Sequence, residues 1–102
     1  MSGYARPGQA VVRPLLEAFT QQRIMIIQYR DADDASSRRT IEAQYLCYSL
    51  PAWYVMAWDR VRDDVRAFRI DRITSAALLD EPFRLRKPGP FLAAGQAHAH
   101  PL

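Results

Sequence analysis

The spacing of apolar and polar positions changes period once along the chain, near Arg23. Before it, Val11, Val12, Leu15, Leu16 and Phe19 in "VVRPLLEAFTQQ" recur at helical intervals and share one stripe. Pro14 has no N–H and fits best in a helix's first turn, so the pattern predicts a firm helix over about 13–22. After Arg23 the period is two. "RIMIIQYR" (23–30) reads as a strand, with Ile24 and Ile26 on one face and Met25, Ile27 and Tyr29 on the other. Both faces begin apolar, as expected of a strand between a helix and a barrel interior. The polar "DADDASS" (31–37) is a turn. Four more strands are predicted over 38–49 (bent), 53–59, 65–70 and 73–80, joined by "LPA", "RVRDD" and the tight corner "DR".

One helix followed by five short strands points to a mainly β fold, a small closed or nearly closed barrel. Leu16, Phe19, Ile26, Met56 and Phe68 are expected in its core. In the third strand Tyr54, Met56 and Trp58 are expected to pack inside, with Trp53 partly exposed. Residues 1–10 read as a flexible arm, 11–86 as the barrel domain and 87–102 as a flexible tail rich in Pro, Ala and Gly. An extended segment around Phe83 to Leu85 is expected to pack before the tail begins.

Composition narrows the class. A chain of 102 residues, 49% hydrophobic and 25% charged, is one globular domain. The net charge of +3 and pI near 9.4 are too mild to decide for or against nucleic acid. The kind of base says more. Lys87 is the only lysine, so 13 of the 14 basic residues are Arg, whose planar fork suits phosphate and whose flat face suits stacking. GC-rich codon usage would produce the same bias. Cys47 stands alone, so no internal disulfide can form, and a reducing compartment is the default. No apolar run approaches the ~18 residues of a spanning helix, and "MSGYARPGQA" has no signal-peptide core. The expectation is a soluble cytoplasmic protein with no membrane partner.

Catalytic signatures are missing. The chain has no HExxH, P-loop, GxSxG or paired-cysteine zinc motif. His98 and His100 lie in the predicted tail, where no scaffold would hold a general base. Cys47 has no evident base beside it. "DADD" (31–34) lacks the Gly and closing Glu of a calcium loop and reads as a solvated turn. No catalytic residue, metal or cofactor is expected.

The residues with chemical content are in "PAWYVMAWDRVRDDVRAFRIDRI" (51–73). Two Trp and one Tyr fall within six positions, and Arg60, Arg62, Arg66, Arg69 and Arg72 follow. A core would explain the aromatics and a solvated face the arginines; a site for an anionic, base-bearing ligand would explain both. Arg69 must reach solvent, pair with Asp71 or Asp59, or line a pocket, since burying it unpaired is costly. Arg60 and Arg62 read as solvated hairpin charges neutralised by Asp63 and Asp64. Tyr45 reads as a packing residue. Phosphate oxygens suit guanidinium forks, and bases suit stacking on Tyr and Arg planes.

"Trp53-Tyr54-Val55" on a strand, followed by "Arg66-Ala67-Phe68-Arg69-Ile70-Asp71-Arg72-Ile73", resembles the WYL domain of bacterial transcriptional regulators. The resemblance runs from about Leu15 to Leu79. It takes in "Ile26-Ile27-Gln28-Tyr29-Arg30" and the Arg38–Arg39 pair. Val55 replaces the usual Leu, Ala67 a common Thr and Ala43 a common Pro. The resemblance implies an Sm-like (SH3-type) five-stranded barrel with the N-terminal helix packed on it. It also implies a non-catalytic ligand sensor for short single-stranded DNA or RNA, or a nucleotide. Ligand-binding positions carried over are Tyr29, Arg39, Arg66, Arg69 and Arg72. Such regulators usually carry a helix-turn-helix domain upstream. Here about 22 residues precede the first strand, so the chain reads as a sensor domain, excised or stand-alone, acting on a DNA-binding domain or a partner protein. The other reading is an oligomerisation or protein-interaction module whose open strand edges and basic surface meet a partner, with a weak homodimer as one form.

Overall fold

The computed structural model describes residues 8–98. The expected arm over residues 1–7 and the end of the tail, with His100, lie outside the described residues. The elements are helix α1 (Gln9–Gln21), strands β1 (Arg23–Arg30), β2 (Ser36–Ser49), β3 (Ala52–Asp59) and β4 (Asp64–Arg69), a single 3₁₀ turn (Ile70–Arg72), strand β5 (Ile73–Pro82) and helix α2 (Gly89–His98). Every strand expected from the sequence is present, with ends moved by two residues or fewer.

The sheet is antiparallel in the order β4-β3-β2-β1-β5. Among the described residues no ladder joins β4 to β5, so the sheet is not closed, and the hydrogen bonding does not confirm the closed or nearly closed barrel expected from the sequence. The 3₁₀ turn takes the chain from one edge strand to the other. The sheet curls all the same: Tyr29 on β1 meets Phe68 on β4, with two strands between them in the sheet order, at a ring-centroid distance of 4.9 Å. A register shift between Ala43 and Tyr45 supplies the bend expected in β2.

Helix α1 starts earlier than the sequence predicts. Gly8 is its N-cap, and the Gly8 carbonyl accepts the N–H groups of Val11 and Val12 at 3.0 Å. Pro14 therefore lies inside the helix, beyond the first turn where its missing N–H would cost nothing. The Ala10 carbonyl loses its helical donor, and Ala10 is exposed, so water can serve it. The buried stripe is Val11, Leu15 and Ala18. Leu16, expected in the core, is 52% exposed, and Phe19 and Ile26 are only partly buried. Small Ala18 lets the helix settle on a line that leaves Leu16 at its flank. Gln22 ends α1 in the left-handed conformation, at φ 50°, and its carbonyl accepts the Phe83 N–H at 2.9 Å.

The main core lies between α1 and the inner sheet face: Met25, Ile27, Ile41, Ala43, Val55, Ala57 and Phe68, with Ile70 and Ile73. Cross-strand partners point the same way, so Val55 and Ala57 face α1 while Tyr54, Met56 and Trp58 face away. The expected assignment of the two faces of β3 is thus reversed for this core. Met56 is still buried, because a second layer covers the outer face.

That layer has two parts: the extended stretch around Phe83, which the sequence expects to pack, and α2, which occupies part of the segment expected as a flexible tail. Phe83 is buried, and α2 lays Phe91, 2% exposed, over β2 and β3, with its ring 5.4 Å from Tyr45. Between them the chain is held by side chains of β2. The Gln44 amide oxygen accepts the Arg86 N–H at 2.8 Å, its nitrogen donates to the Arg84 carbonyl at 3.3 Å, and the Tyr45 hydroxyl donates to the Arg86 carbonyl at 2.8 Å. These side-chain bonds to the backbone fix the path of the extended segment that the sequence expects to pack there.

A candidate anion-binding surface at one end of the sheet

The inner face becomes polar beyond the helix-covered core. Ser37, Arg39, Asp59 and Arg66 occupy positions whose cross-strand partners face inward, and Tyr29 lies opposite Ser37. Asp59 anchors this end. Its carboxylate is fully buried; one oxygen receives Arg39 Nη1 at 3.1 Å, and the other receives the N–H groups of Val61 at 3.0 Å and Arg62 at 3.1 Å. Arg39 is held also by Ser37 Oγ at 3.1 Å, and its guanidinium carbon lies 5.9 Å from the Phe68 ring centre. Of its five N–H donors, Nε and one on Nη1 are used, which leaves three without a partner among the described residues.

Tyr29 links this cluster to the second edge. Its ring meets Phe68 edge-on, and its hydroxyl accepts the Arg69 backbone N–H at 3.0 Å. Burial raises the Tyr29 pKa above its ordinary value; that bond and the Arg72 charge oppose the rise without cancelling it. Tyr29 is therefore a neutral hydroxyl, still able to donate its proton. Arg69 points to the opposite face, the side of its cross-strand partner Tyr54. There Nε and Nη2 make a two-pronged pair with Asp71 at 2.8 and 2.9 Å. Those bonds hold the Arg69 pKa above its already high ordinary value. Of the alternatives open in the sequence, the pairing of Arg69 with Asp71 is what the structure shows. Arg72 donates through Nη1 to the Asp31 carbonyl at 2.9 Å. Arg66 is half-buried and makes no side-chain hydrogen bond or ion pair among the described residues. Tyr29, Arg39 and Phe68 are thus in contact, Arg69 and Arg72 flank them with their charges partly committed, and Arg66 shares the inner face.

Several charges behave differently from the sequence expectation. Arg60 does not pair with Asp63 or Asp64: it reaches Glu42 at 2.8 Å and Glu81 at 3.2 Å. Arg62 is exposed, with its backbone rather than its side chain bonded to Asp59. Trp58 is covered by the Arg86 guanidinium, 4.0 Å above its ring, so its partner is structural. Trp53 is 45% exposed, as expected, and sits 5.0 Å from Tyr48.

Glu42 is a charged residue that sequence reasoning missed. It is almost fully buried on the outer face, where Arg60 and Arg86 converge on its two oxygens. Burial by itself would raise its pKa, but hydrogen bonds and charge from Arg86 and Arg60 outweigh that and hold it below the ordinary carboxylate value. A depressed folded-state pKa contributes stability that is present above the unfolded value of 4.5 and is lost as pH falls through the folded value. Urea midpoints measured from neutral pH down through the carboxylate range should therefore fall on the acid side. In Glu42→Gln that acid-side fall should be shallower. An identical acid limb in both proteins would show that Glu42 contributes nothing to it.

Among the described residues, no group of three His, Cys, Asp or Glu is placed to hold a metal ion, and no helix is long and apolar enough to cross a membrane. Fold and surface define a small antiparallel sheet domain that presents arginines and a tyrosine at one end. The chain belongs to the WYL domain family, whose model matches residues 10–78. Among solved structures it is similar to the proteasome accessory factor B/C (PafBC) of Arthrobacter aurescens, with a TM-score of 0.73 and 22% identity over 85% of this chain. At that identity the likeness is one of fold. The match spans 15% of the PafBC chain.

Proposed function

We propose that the chain is a non-catalytic, ligand-sensing regulatory domain that binds a short single-stranded DNA or RNA, or a nucleotide. Tyr29, Arg39 and Arg66 form the inner part of the binding surface, with Arg72 near Tyr29, while Arg69, whose guanidinium is turned to the opposite face and paired with Asp71, contributes its backbone N–H to the Tyr29 hydroxyl. The observation that carries this reading is Arg39, fixed by buried Asp59 and by Ser37 over Phe68 with three donors unspent. A pre-oriented guanidinium beside aromatic rings is the combination that phosphate and base recognition share. Membership of the WYL family and the fold shared with PafBC support a regulatory role. Binding would bias how the domain presents itself to a DNA-binding domain or a partner protein.

Titration with a short single strand at two salt concentrations tests this. Arg66→Ala and Arg72→Ala should each weaken binding by roughly 1–3 kcal/mol and make the salt dependence shallower. Arg13→Ala, exposed on α1 and without a side-chain partner among the described residues, should change it little. Equal losses in all three variants would mean diffuse attraction and no site.

A second reading, an interaction or self-association module, is favoured by a different observation. Leu46, Tyr48, Leu50 and Trp53 are each about half exposed or more around the β2–β3 hairpin. Light scattering with and without the oligonucleotide separates the two readings. An oligonucleotide that binds without changing the mass favours the sensor, and concentration-dependent mass without oligonucleotide binding favours the module.

A further inference from the structure

We infer that a second anion subsite, built by Arg38, Arg39 and Arg62, takes a terminal phosphomonoester of the bound strand. It rests on the oligonucleotide reading above. A pocket of about 180 Å³ lies between the start of β2 and the β3–β4 turn, lined by Ser37, Arg38, Arg39, Asp59, Val61 and Arg62. Three guanidiniums against one carboxylate give the lining a net charge of +2. The carboxylate is not competing for a ligand, because the buried Asp59 oxygens are spent on Arg39 and on two turn N–H groups. Arg38 and Arg62 are exposed, have no side-chain hydrogen bond or ion pair among the described residues, and each contributes atoms to the lining of this pocket.

One residue organises the whole pocket. Asp59 orients the Arg39 fork through one oxygen and fixes the turn that carries Arg62 through the other. The turn closes further through the Asp63 N–H to the Asp59 carbonyl at 2.7 Å, with Asp63 at φ 54°. Although the exposed Arg38 and Arg62 are partly screened by solvent, like charges gathered around one held guanidinium attract an anion. Its charge selects among phosphates. An internal phosphodiester carries one negative charge, whereas a terminal monoester carries about −1.5 to −2 near pH 7 and offers three acceptor oxygens. Three forks match the second better. The lining's excess of guanidiniums disfavours an amine or a cation.

The test uses one short single-stranded DNA sequence in three forms: 5′-phosphorylated, 3′-phosphorylated and without a terminal phosphate. The intact protein is compared with Arg62→Ala and Arg38→Ala, whose exposed side chains make no hydrogen bond or ion pair among the described residues, with circular dichroism as the folding control. Wild type should bind one phosphorylated form about tenfold more tightly than the unphosphorylated form, a size typical of hydrogen bonds to a charged group. The form preferred identifies which end enters. Both variants should lose that preference while binding the unphosphorylated strand within about twofold of wild type. Equal affinity of wild type for all three forms overturns the subsite and leaves the oligonucleotide reading intact. So does an equal loss for all three forms in Arg62→Ala. Failure of every form to bind wild type overturns both.

Discussion

Asp59→Ala is expected to destabilise the fold by roughly 3–5 kcal/mol, the range seen when one member of a buried ion pair is removed. The carboxylate is fully buried and has three partners. Its loss strands the Arg39 guanidinium, which is only 19% exposed, and removes the acceptor of two turn N–H groups. Asp59→Asn should cost less, about 2 kcal/mol, because its amide oxygen can still receive the Val61 and Arg62 N–H groups. In Asp59→Ala/Arg39→Met the stranded charge is gone, so part of the stability should return, with a coupling of roughly 0.5–3 kcal/mol. Urea unfolding of the four proteins measures these differences, read from midpoints at constant slope. If the double variant is no more stable than Asp59→Ala, the cost comes from the turn alone and the ion pair contributes nothing. Against a total stability of ~5–15 kcal/mol for a domain of this size, the Ala variant would stand near the limit of folding.

Period switching made the β architecture legible. The change at Arg23 marks the end of α1, and alternation from there located all five strands. Closure was not legible, because whether β4 pairs with β5 depends on the 3₁₀ turn at Ile70–Arg72, and "DR" reads equally well as a tight corner. Alternation gives two faces without saying which is covered. In β3 both Val55 and Met56 are buried, one under α1 and the other beneath the C-terminal segment. In β2 the alternation of Ile41 and Ala43 with Glu42 and Gln44 looks like a core face and a solvent face, yet all four are buried. Only the path of residues 83–87 explains this, and that path is set by bonds between elements far apart in sequence.

The candidate surface was legible as residue types but only partly as geometry. Tyr29 and Arg39 were legible through the WYL resemblance rather than from spacing, and the structure brings both to Phe68. The pairing of Arg69 with Asp71 was one of three open readings, since an i,i+2 pair across a turn depends on the turn's conformation. Arg62 gave no signal. Its neighbours Asp63 and Asp64 suggest neutralisation, but Asp63 takes a left-handed conformation and Asp64 enters β4, so neither reaches it. A buried Asp at the end of a strand, two and three residues before bonded N–H groups, is the cue that would have found the turn.

Phe91→Ala is expected to release α2 while leaving the main core folded. Among the side chains described on this helix, Phe91 is the one large apolar group that is buried; Leu92 is 62% exposed. The helix otherwise packs through small residues, close enough that a Cβ at Gly95 would lie 3.4 Å from Cys47 Sγ. A cleft of about 360 Å³ already lies beside Phe91, lined by Tyr45, Leu46, Cys47, Met56, Leu92 and Gly95. Removing the ring enlarges a space that its rigid β2 and β3 walls cannot fill, so the full cost of a Phe→Ala change applies, roughly 3–5 kcal/mol. That cost falls on the docking of α2, because the preceding segment keeps its own anchors, Arg86 on Glu42 and over Trp58. Hydrogen exchange distinguishes local from global effects. Backbone amides of α2 should exchange at least a hundredfold faster in Phe91→Ala, the rate equivalent of about 3 kcal/mol. Amides of β1 and β2 around Ile27 and Ile41 should stay within about threefold of wild type. If those core amides accelerate as much as α2, the helix is not a separately docked layer but part of the cooperative core.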